Sequence, residues 1–236
     1  MFWRFGGYAN VSTIDTLLEK PDVTLEELLD EGDLIQELKS HNTKLIEYLR
    51  EDPVLEKLLE YVVAPKLEPV ASEQGKGAED FREISKCKGR ERSISGSHLN
   101  AEDEEDEKEK RRSRYAYVAA EILSSDSWSL SAALFENQAL LRKFWDFLKL
   151  APPLDPLQAG YFTKVNEALL DKKTEEMLDL FKSLDNVVKN MLQHVDSPMV
   201  MDLLLKIVSL EKVEGGQGIV DVRFRSVSEL KHVSAN

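Results

Sequence analysis

The sequence predicts an all-α protein whose short helices pack in successive pairs. Two observations indicate this architecture. Apolar residues recur at helical spacing through residues 113–213, and the turns between these segments are only a few residues long. No segment shows a convincing strand pattern. A row of short helices with short connections is typical of an armadillo- or HEAT-like solenoid, although no strict repeat period is visible in the sequence.

Composition restricts the classes of function. The chain has 236 residues, 42% of them apolar, and a net charge of −13. This acidity argues against nucleic-acid binding, which needs a basic face, and it fits a protein partner better. No apolar run approaches the ~20 residues that cross a bilayer, so no membrane association is predicted. The single cysteine, Cys87, excludes an internal disulfide, and we expect a cytoplasmic protein that also has access to the nucleus.

Four regions differ in composition. Residues 1–64 are predicted to form the N-terminal helices of the solenoid. Residues 65–112 contain prolines, glycines and an acidic run, and are predicted to be a disordered charged insertion whose last part could begin the following helix. Residues 113–213 continue the solenoid, and residues 214–236 are predicted to be a disordered tail.

Start signals mark three helices of the first region. Thr24 and Glu27 form a capping box. Asp33 opens a longer predicted helix that runs through the apolar positions up to Leu49. Asp52 and Pro53 begin the next one. These signals predict short antiparallel helix pairs joined by tight turns.

Seven helices are predicted in the third region. Ser197 is the expected N-cap of the last one, with Pro198 at its first position. That helix is apolar around most of its circumference, which predicts that neighbouring helices sandwich it from both sides. The predicted segments are 113–124, 127–135, 137–149, 156–171, 174–182, 185–195 and 198–211.

No catalytic residue, cofactor site or metal site is predicted. The sequence contains no metalloprotease, hydrolase-elbow or phosphate-loop motif, and the glycines of 215–218 read as a helix cap and turn. Glu37 and His41 share a helix face in the predicted long helix. A solvated pair explains them, and a carboxylate–histidine site of a helical enzyme is the alternative.

Two further groups of residues have double interpretations. Ser93 and Ser95 follow arginines and are candidate phosphorylation sites, although such matches also arise by chance in charged segments. The aromatic residues Phe2, Trp3 and Phe5 either cap the first helix pair or form an exposed anchor for a partner. Phe144 and Trp145 are predicted to lie in the core.

Several segments together resemble the SAPS family, the regulatory subunits of Sit-type, protein phosphatase 6-like serine/threonine phosphatases. They occur in the family order, and the style of the insertion and of residues 211–221 resembles fungal members. After Asp221 the chain departs from the family pattern, which predicts a truncated or misread C-terminus. The matching segments are Met1–Phe5, Val23–Glu31, Phe144–Leu148, Pro153–Leu157, Gln158–Lys164 and Val200–Leu205.

The resemblance implies a helical scaffold that binds a phosphatase catalytic subunit, directs its substrate choice or location, and performs no chemistry itself. A general helical adaptor without a phosphatase partner is the alternative. In a phosphatase scaffold, inter-helix turns would supply the contacts with the catalytic subunit, and we expect the turns at 152–156, 172–173 and 196–198 to line one edge. For each proline, simply stopping a helix is the competing interpretation. The candidate contacts are Phe2, Trp3, Phe5, Pro153, Asp155, Lys172 and Lys173.

Overall fold

The computed structural model describes residues 12–66 and 99–210, with the side chains of 99–103 left aside. These residues form twelve α-helices and one 3-10 helix, η1, and contain no strand, so the all-α prediction is confirmed. The elements are α1 Thr13–Leu18, α2 Leu25–Leu29, α3 Leu34–Lys39, α4 Thr43–Leu49, α5 Asp52–Val62, α6 Leu99–Ser124, α7 Trp128–Glu136, α8 Gln138–Trp145, η1 Asp146–Lys149, α9 Pro156–Lys172, α10 Thr174–Ser183, α11 Val187–Leu192 and α12 Pro198–Ser209.

Helices α6 and α9 lie side by side and run in the same direction. The rings of Tyr117 on α6 and Tyr161 on α9 are 6.4 Å apart between centroids. Nearer the C-terminal ends of both helices, Lys172 Nζ donates to the carbonyl oxygen of Ser124 at 3.1 Å. Contacts therefore advance together along the two helices, which is how equivalent helices of successive repeats pack.

Helix α12 continues this layer beyond α9. Thr163 Oγ1 donates to the carbonyl oxygen of Met199 at 3.2 Å, and Lys206 Nζ lies 3.5 Å from the carbonyl oxygen of Glu167. The sequence separations across the layer are 43 residues from α6 to α9, and 36 and 39 from α9 to α12. A spacing of this size is close to the ~40–47 residues of armadillo and HEAT repeats. The solenoid is thus visible in the contacts although the sequence showed no strict period.

One hydrophobic core runs through the described helices from α1 to α12. Phe162 of α9 lies near its centre and is fully buried. Its ring contacts Phe144, Trp145 and Phe147, with centroid distances of 4.9, 5.2 and 5.2 Å. The predicted core positions of Phe144 and Trp145 are confirmed. Rings packed at these distances fix the position of α9 between its neighbours.

The long helix predicted from Asp33 to Leu49 is wrong. The chain forms α3 and α4 instead, with a break at His41, whose φ of 59° is left-handed. Asn42 caps the new helix, because its side-chain oxygen accepts from the backbone N–H of Leu45 at 3.2 Å. An asparagine that offers a cap competes with helix continuation, and the apolar periodicity on either side concealed this competition.

Helix α6 begins at Leu99, inside the segment 65–112 that the sequence assigned to a disordered insertion. For residues 99–112 that assignment is wrong, and the alternative of an early helix start is correct. The physical reason is that the Glu- and Lys-rich run around 104–110 consists of strong helix formers. Residues 67–98 and the tail 214–236 lie outside the described residues.

The predicted helix starts are largely confirmed. Thr24 Oγ1 accepts from the N–H of Glu27 at 3.3 Å, which is the threonine half of the predicted capping box. Asp155 caps α9, and its Oδ1 accepts from Leu157 and Gln158 at 2.9 and 3.0 Å. The other helices of the third region begin and end near their predicted limits, with two exceptions: α6 begins at Leu99 and not at 113, and α11 is shorter than the predicted 185–195.

The last described helix has one covered face. Val200, Leu203 and Ile207 are buried, whereas Leu205 on the opposite side is 67% exposed and Val208 is 43% exposed. The prediction that this helix is sandwiched is therefore wrong for the part of the chain that the structure describes. None of the described helices has the length and apolarity needed to span a membrane.

Candidate functional site

An open groove of about 580 Å³ lies between α6 and the beginning of α9. Both helices reach it because they run parallel, so that the middle of α6 faces the first turns of α9. Residues that line it include Arg112, Arg114 and Tyr117 from α6, and Asp155, Leu157 and Tyr161 from the start of α9.

The floor of the groove is apolar and open to solvent. Tyr117 is 50% exposed and Leu157 is 56% exposed. Tyr161 follows Leu157 by four positions, so both lie on one face of α9. The rings of Tyr117 and Tyr161 meet at an interplanar angle of 60°. The floor thus presents two aromatic rings and one aliphatic side chain to a partner.

The anionic groups of the groove are engaged within the chain. Both carboxylate oxygens of Glu109 accept from Arg112, at 2.8 and 2.6 Å. Donation to the Glu109 carboxylate raises the pKa of Arg112, so this guanidinium stays charged. The carboxylate of Asp155 is bonded to the N-terminal amides of α9. The negative charges therefore point toward the protein.

The cationic groups are more exposed. Lys110 has a side chain that is 70% exposed and lies 3.1 Å from Glu107, which is equally open to solvent. Arg114 contacts Asp30, and both side chains are about half exposed. Lys66 also borders the groove and is exposed. Surface ion pairs of this kind contribute only ~0–1 kcal/mol, so a carboxylate of a partner can replace either acid.

A second exposed surface lies at the far end of α9. Trp128, at the start of α7, is 68% exposed. The ammonium of Lys173 lies 4.7 Å from the centre of its ring and 3.0 Å from a carboxylate oxygen of Glu176. Lys172 donates to the carbonyl oxygens of Ser124 and Ser125 at the end of α6, and burial lowers the pKa of its ammonium. Both lysines thus have partners within the chain.

The predicted contact residues do not lie on one edge. Pro153 is exposed in the turn before α9, and Asp155 borders the groove. Lys172 and Lys173 lie at the other end of this 17-residue helix, ~25 Å away at ~1.5 Å per residue. The expectation of a single edge is therefore wrong, although each residue's contact with a partner stays a prediction.

The proposed carboxylate–histidine pair is not formed. His41 lies outside α3, and the Glu37 carboxylate instead accepts from Asn42 Nδ2 at 3.1 Å. The described residues contain no group of three potential metal ligands. His194 is fully buried, with its Nε2 3.1 Å from the carbonyl oxygen of Leu148, and thus links η1 to the turn before α12.

Some candidates lie outside the described residues, namely Phe2, Trp3, Phe5, Cys87, Ser93 and Ser95. Conversely, sequence reasoning missed Tyr117, Leu157 and Trp128. One signal could have identified them. Each is a large apolar residue at a helix position out of phase with the buried stripe of its helix, and such residues are exposed when the helix packs.

Comparison with known proteins gives consistent similarities. Residues 166–226 match the model of the family described as SAPS, SIT4 phosphatase-associated protein. The chain is 40% identical over 226 residues to Extragenic suppressor of kinetochore protein 1 of Schizosaccharomyces pombe, a match that covers 94% of this chain and 23% of that protein. It is 33% identical over 229 residues to SIT4-associating protein SAP190 of Saccharomyces cerevisiae, covering 84% of this chain and 22% of the relative.

A human protein is similar over the same extent. Serine/threonine-protein phosphatase 6 regulatory subunit 1 of Homo sapiens is 32% identical over 222 residues, which cover 94% of this chain and 21% of that protein. The chain therefore spans between a fifth and a quarter of the length of these curated relatives. No solved structure matches it.

Proposed function

Because the chain belongs to the SAPS family of SIT4 phosphatase-associated proteins, we propose that it acts as a regulatory and scaffold subunit of a serine/threonine phosphatase. In this role it binds the catalytic chain and directs that chain's substrate choice or location. The observation that carries the proposal is the similarity over 84–94% of this chain to proteins whose names describe SIT4 association or phosphatase 6 regulation.

The chemistry then belongs to the catalytic chain. The helical layer of α6, α9 and α12 contributes shape and charge, and the scaffold needs no cofactor. The name of the human relative, a regulatory subunit, supports this division of labour. We place the complex in the cytoplasm, with the nucleus as a second location.

Binding to a purified catalytic chain tests the proposal. The full chain is immobilised and titrated with a phosphatase catalytic subunit of the SIT4 or phosphatase 6 type, and a catalytic subunit of an unrelated phosphatase class serves as the specificity control. A Phe162→Asp variant provides the unfolded control, since it places a charge at the centre of the core. Saturable binding of the SIT4-type chain by the wild type alone is expected. Its absence would favour the second candidate, a general adaptor.

A further inference from the structure

We propose that the groove between α6 and α9 is the surface that docks the phosphatase catalytic subunit, and that it takes an acidic segment carrying one large apolar side chain. This inference rests on the proposed function and adds the site and the chemistry of the recognised segment. It depends on three features of the groove: its open apolar floor, its exposed cations and its rigid framework.

The floor supplies the anchor point for the apolar side chain. Leu157 is more than half exposed and Tyr117 is half exposed. The ring of Tyr161 packs against that of Tyr117 and closes one side of the space between Leu157 and Tyr117. Energetic hot spots of protein interfaces are rich in tyrosine and concentrate where a partner side chain enters a recess of this kind. An aromatic or aliphatic side chain of the partner fits this space.

The rim selects acidic neighbours of that side chain. In a chain of net charge −13, the groove carries exposed cations at Lys66, Lys110 and Arg114, of which the last two pair with the exposed acids Glu107 and Asp30. The carboxylates of Glu109 and Asp155 are bonded to Arg112 and to the start of α9. Charge complementarity then favours an acidic segment and repels a basic one.

The framework is fixed before a partner arrives. Arg112 bonds Glu109 through two nitrogens, and a third donates to the carbonyl oxygen of Ala64 at 2.8 Å. Gln158 donates to the same carbonyl oxygen from the α9 side. These bonds hold α5, α6 and α9 together beneath the groove, so little ordering is needed on binding.

Affinity measurements on the full chain test the inference. An anchor variant, Tyr117→Ala with Leu157→Ala, and a rim variant, Lys66→Glu with Lys110→Glu, are titrated with the SIT4-type catalytic subunit. The controls are Trp128→Ala with Leu205→Ala, which removes apolar side chains of at least equal exposure elsewhere, and Lys182→Glu, a single charge reversal on α10. Thermal melting verifies that every variant is folded.

We expect the anchor variant to weaken binding at least tenfold. The rim variant should weaken it several-fold at low salt and less at high salt, and the controls should stay within twofold. A synthetic peptide of aspartates and glutamates around one phenylalanine should compete, and its lysine counterpart should not. If the wild type binds and the anchor variant binds equally well, this inference is wrong while the proposed function stands. If the wild type does not bind, the proposed function itself fails.

Discussion

Lys206 on α12 contacts α9 in the same way that Lys164 on α9 contacts α6. The ammonium of Lys164 pairs with Glu121 of α6, and that of Lys206 lies 2.8 Å from a carboxylate oxygen of Asp171 on α9. Each lysine thus reaches back to an acid of the preceding parallel helix. The repeated pair links each parallel helix of the layer to the one before it.

Charge reversal at the first of these pairs should destabilise the fold, and a second reversal should restore it. Lys164→Glu places two carboxylates together and is expected to cost about 1 kcal/mol of unfolding free energy, because the pair is only partly exposed. Adding Glu121→Lys should recover most of the loss. Urea unfolding of the single and double variants measures the coupling. Equal losses in the single and double variants would show that the ion pair contributes nothing to the unfolding free energy.

The hydrogen bonds of Arg112 should contribute more than a surface ion pair. Its side chain is 13% exposed and bonds both Glu109 and the carbonyl oxygen of Ala64, just after α5. Arg112→Lys keeps the charge but loses the fork of donors, and we expect a loss of about 2 kcal/mol in unfolding free energy.

Arg111→Lys provides the matched control, because Arg111 is next to Arg112 in the chain and is exposed. This control should change the unfolding free energy by less than about 0.5 kcal/mol. Chemical denaturation at one pH and salt concentration compares the two variants. Similar values for both would mean that Arg112 does not hold the helices together.

Local signals predicted most of the fold. The cap at Thr24 and the proline at the first position of α12 placed helix starts correctly, because these signals depend on residues within one turn of each other. The break at His41 was missed, since it depends on a choice between two locally satisfied structures. Asn42 settles it by a bond to the distant Asp15 at 2.9 Å, which no local pattern shows.

The candidate site was harder to predict than the fold. Asp155 was identified from the sequence, but Tyr117 and Leu157 were not, because their proximity depends on α6 and α9 being parallel. That arrangement results from contacts across a separation of about forty residues, such as the one between Lys164 and Glu121. Helical periodicity shows which face of a helix is apolar, and it does not show which neighbour covers that face.

The left-handed residue between α3 and α4 provides a further test. His41 has a φ of 59°, a conformation that disfavours side chains with a Cβ and strongly disfavours β-branched ones. We expect His41→Val to lower the unfolding free energy by about 1–2 kcal/mol, and His41→Gly to leave it unchanged or slightly raised. Thermal and urea unfolding of both variants measures this. A stabilising valine would indicate that the continuous helix forms instead.

The hydrogen bond between Tyr61 and Glu26 should make stability depend on pH. Tyr61 Oη lies 2.5 Å from a carboxylate oxygen of Glu26 and lowers the pKa of this acid below its ordinary value of 4.5. A lowered pKa in the folded state stabilises the fold above pH 4.5. This contribution is lost as the pH falls through the pKa that Glu26 has in the folded state.

Tyr61→Phe should therefore cost about 1 kcal/mol of unfolding free energy at pH 7 and less at pH 3. Urea unfolding at the two pH values measures the difference between wild type and variant. Tyr48→Phe serves as the control, because burial is the largest cause of the raised pKa of Tyr48. An identical cost of Tyr61→Phe at both pH values would rule out a role for the ionised form of Glu26.

The limits of the predicted insertion can be tested by replacing it. The sequence predicts that residues 67–98 bury little apolar surface, so exchanging them for a 12-residue Gly/Ser linker should shift the melting temperature by less than about 2 °C. The linker must reach from Lys66 to Leu99. Lys66 borders the same groove as Arg112, and Leu99 lies thirteen positions before Arg112 on α6, which corresponds to ~20 Å. Twelve flexible residues span this distance with an r.m.s. length of ~19 Å.

Extending the replacement to residues 67–111 should give a different result. It removes the first half of α6, including Glu109, and leaves the Arg112 guanidinium without the carboxylate that orients it. Loss of that charge-assisted pair should lower the melting temperature by roughly 5 °C or more. Calorimetry on both replacements decides the boundary. Equal melting temperatures would show that residues 99–111 do not stabilise the fold, whereas a drop only in the longer replacement places the structural beginning of α6 ahead of Arg112.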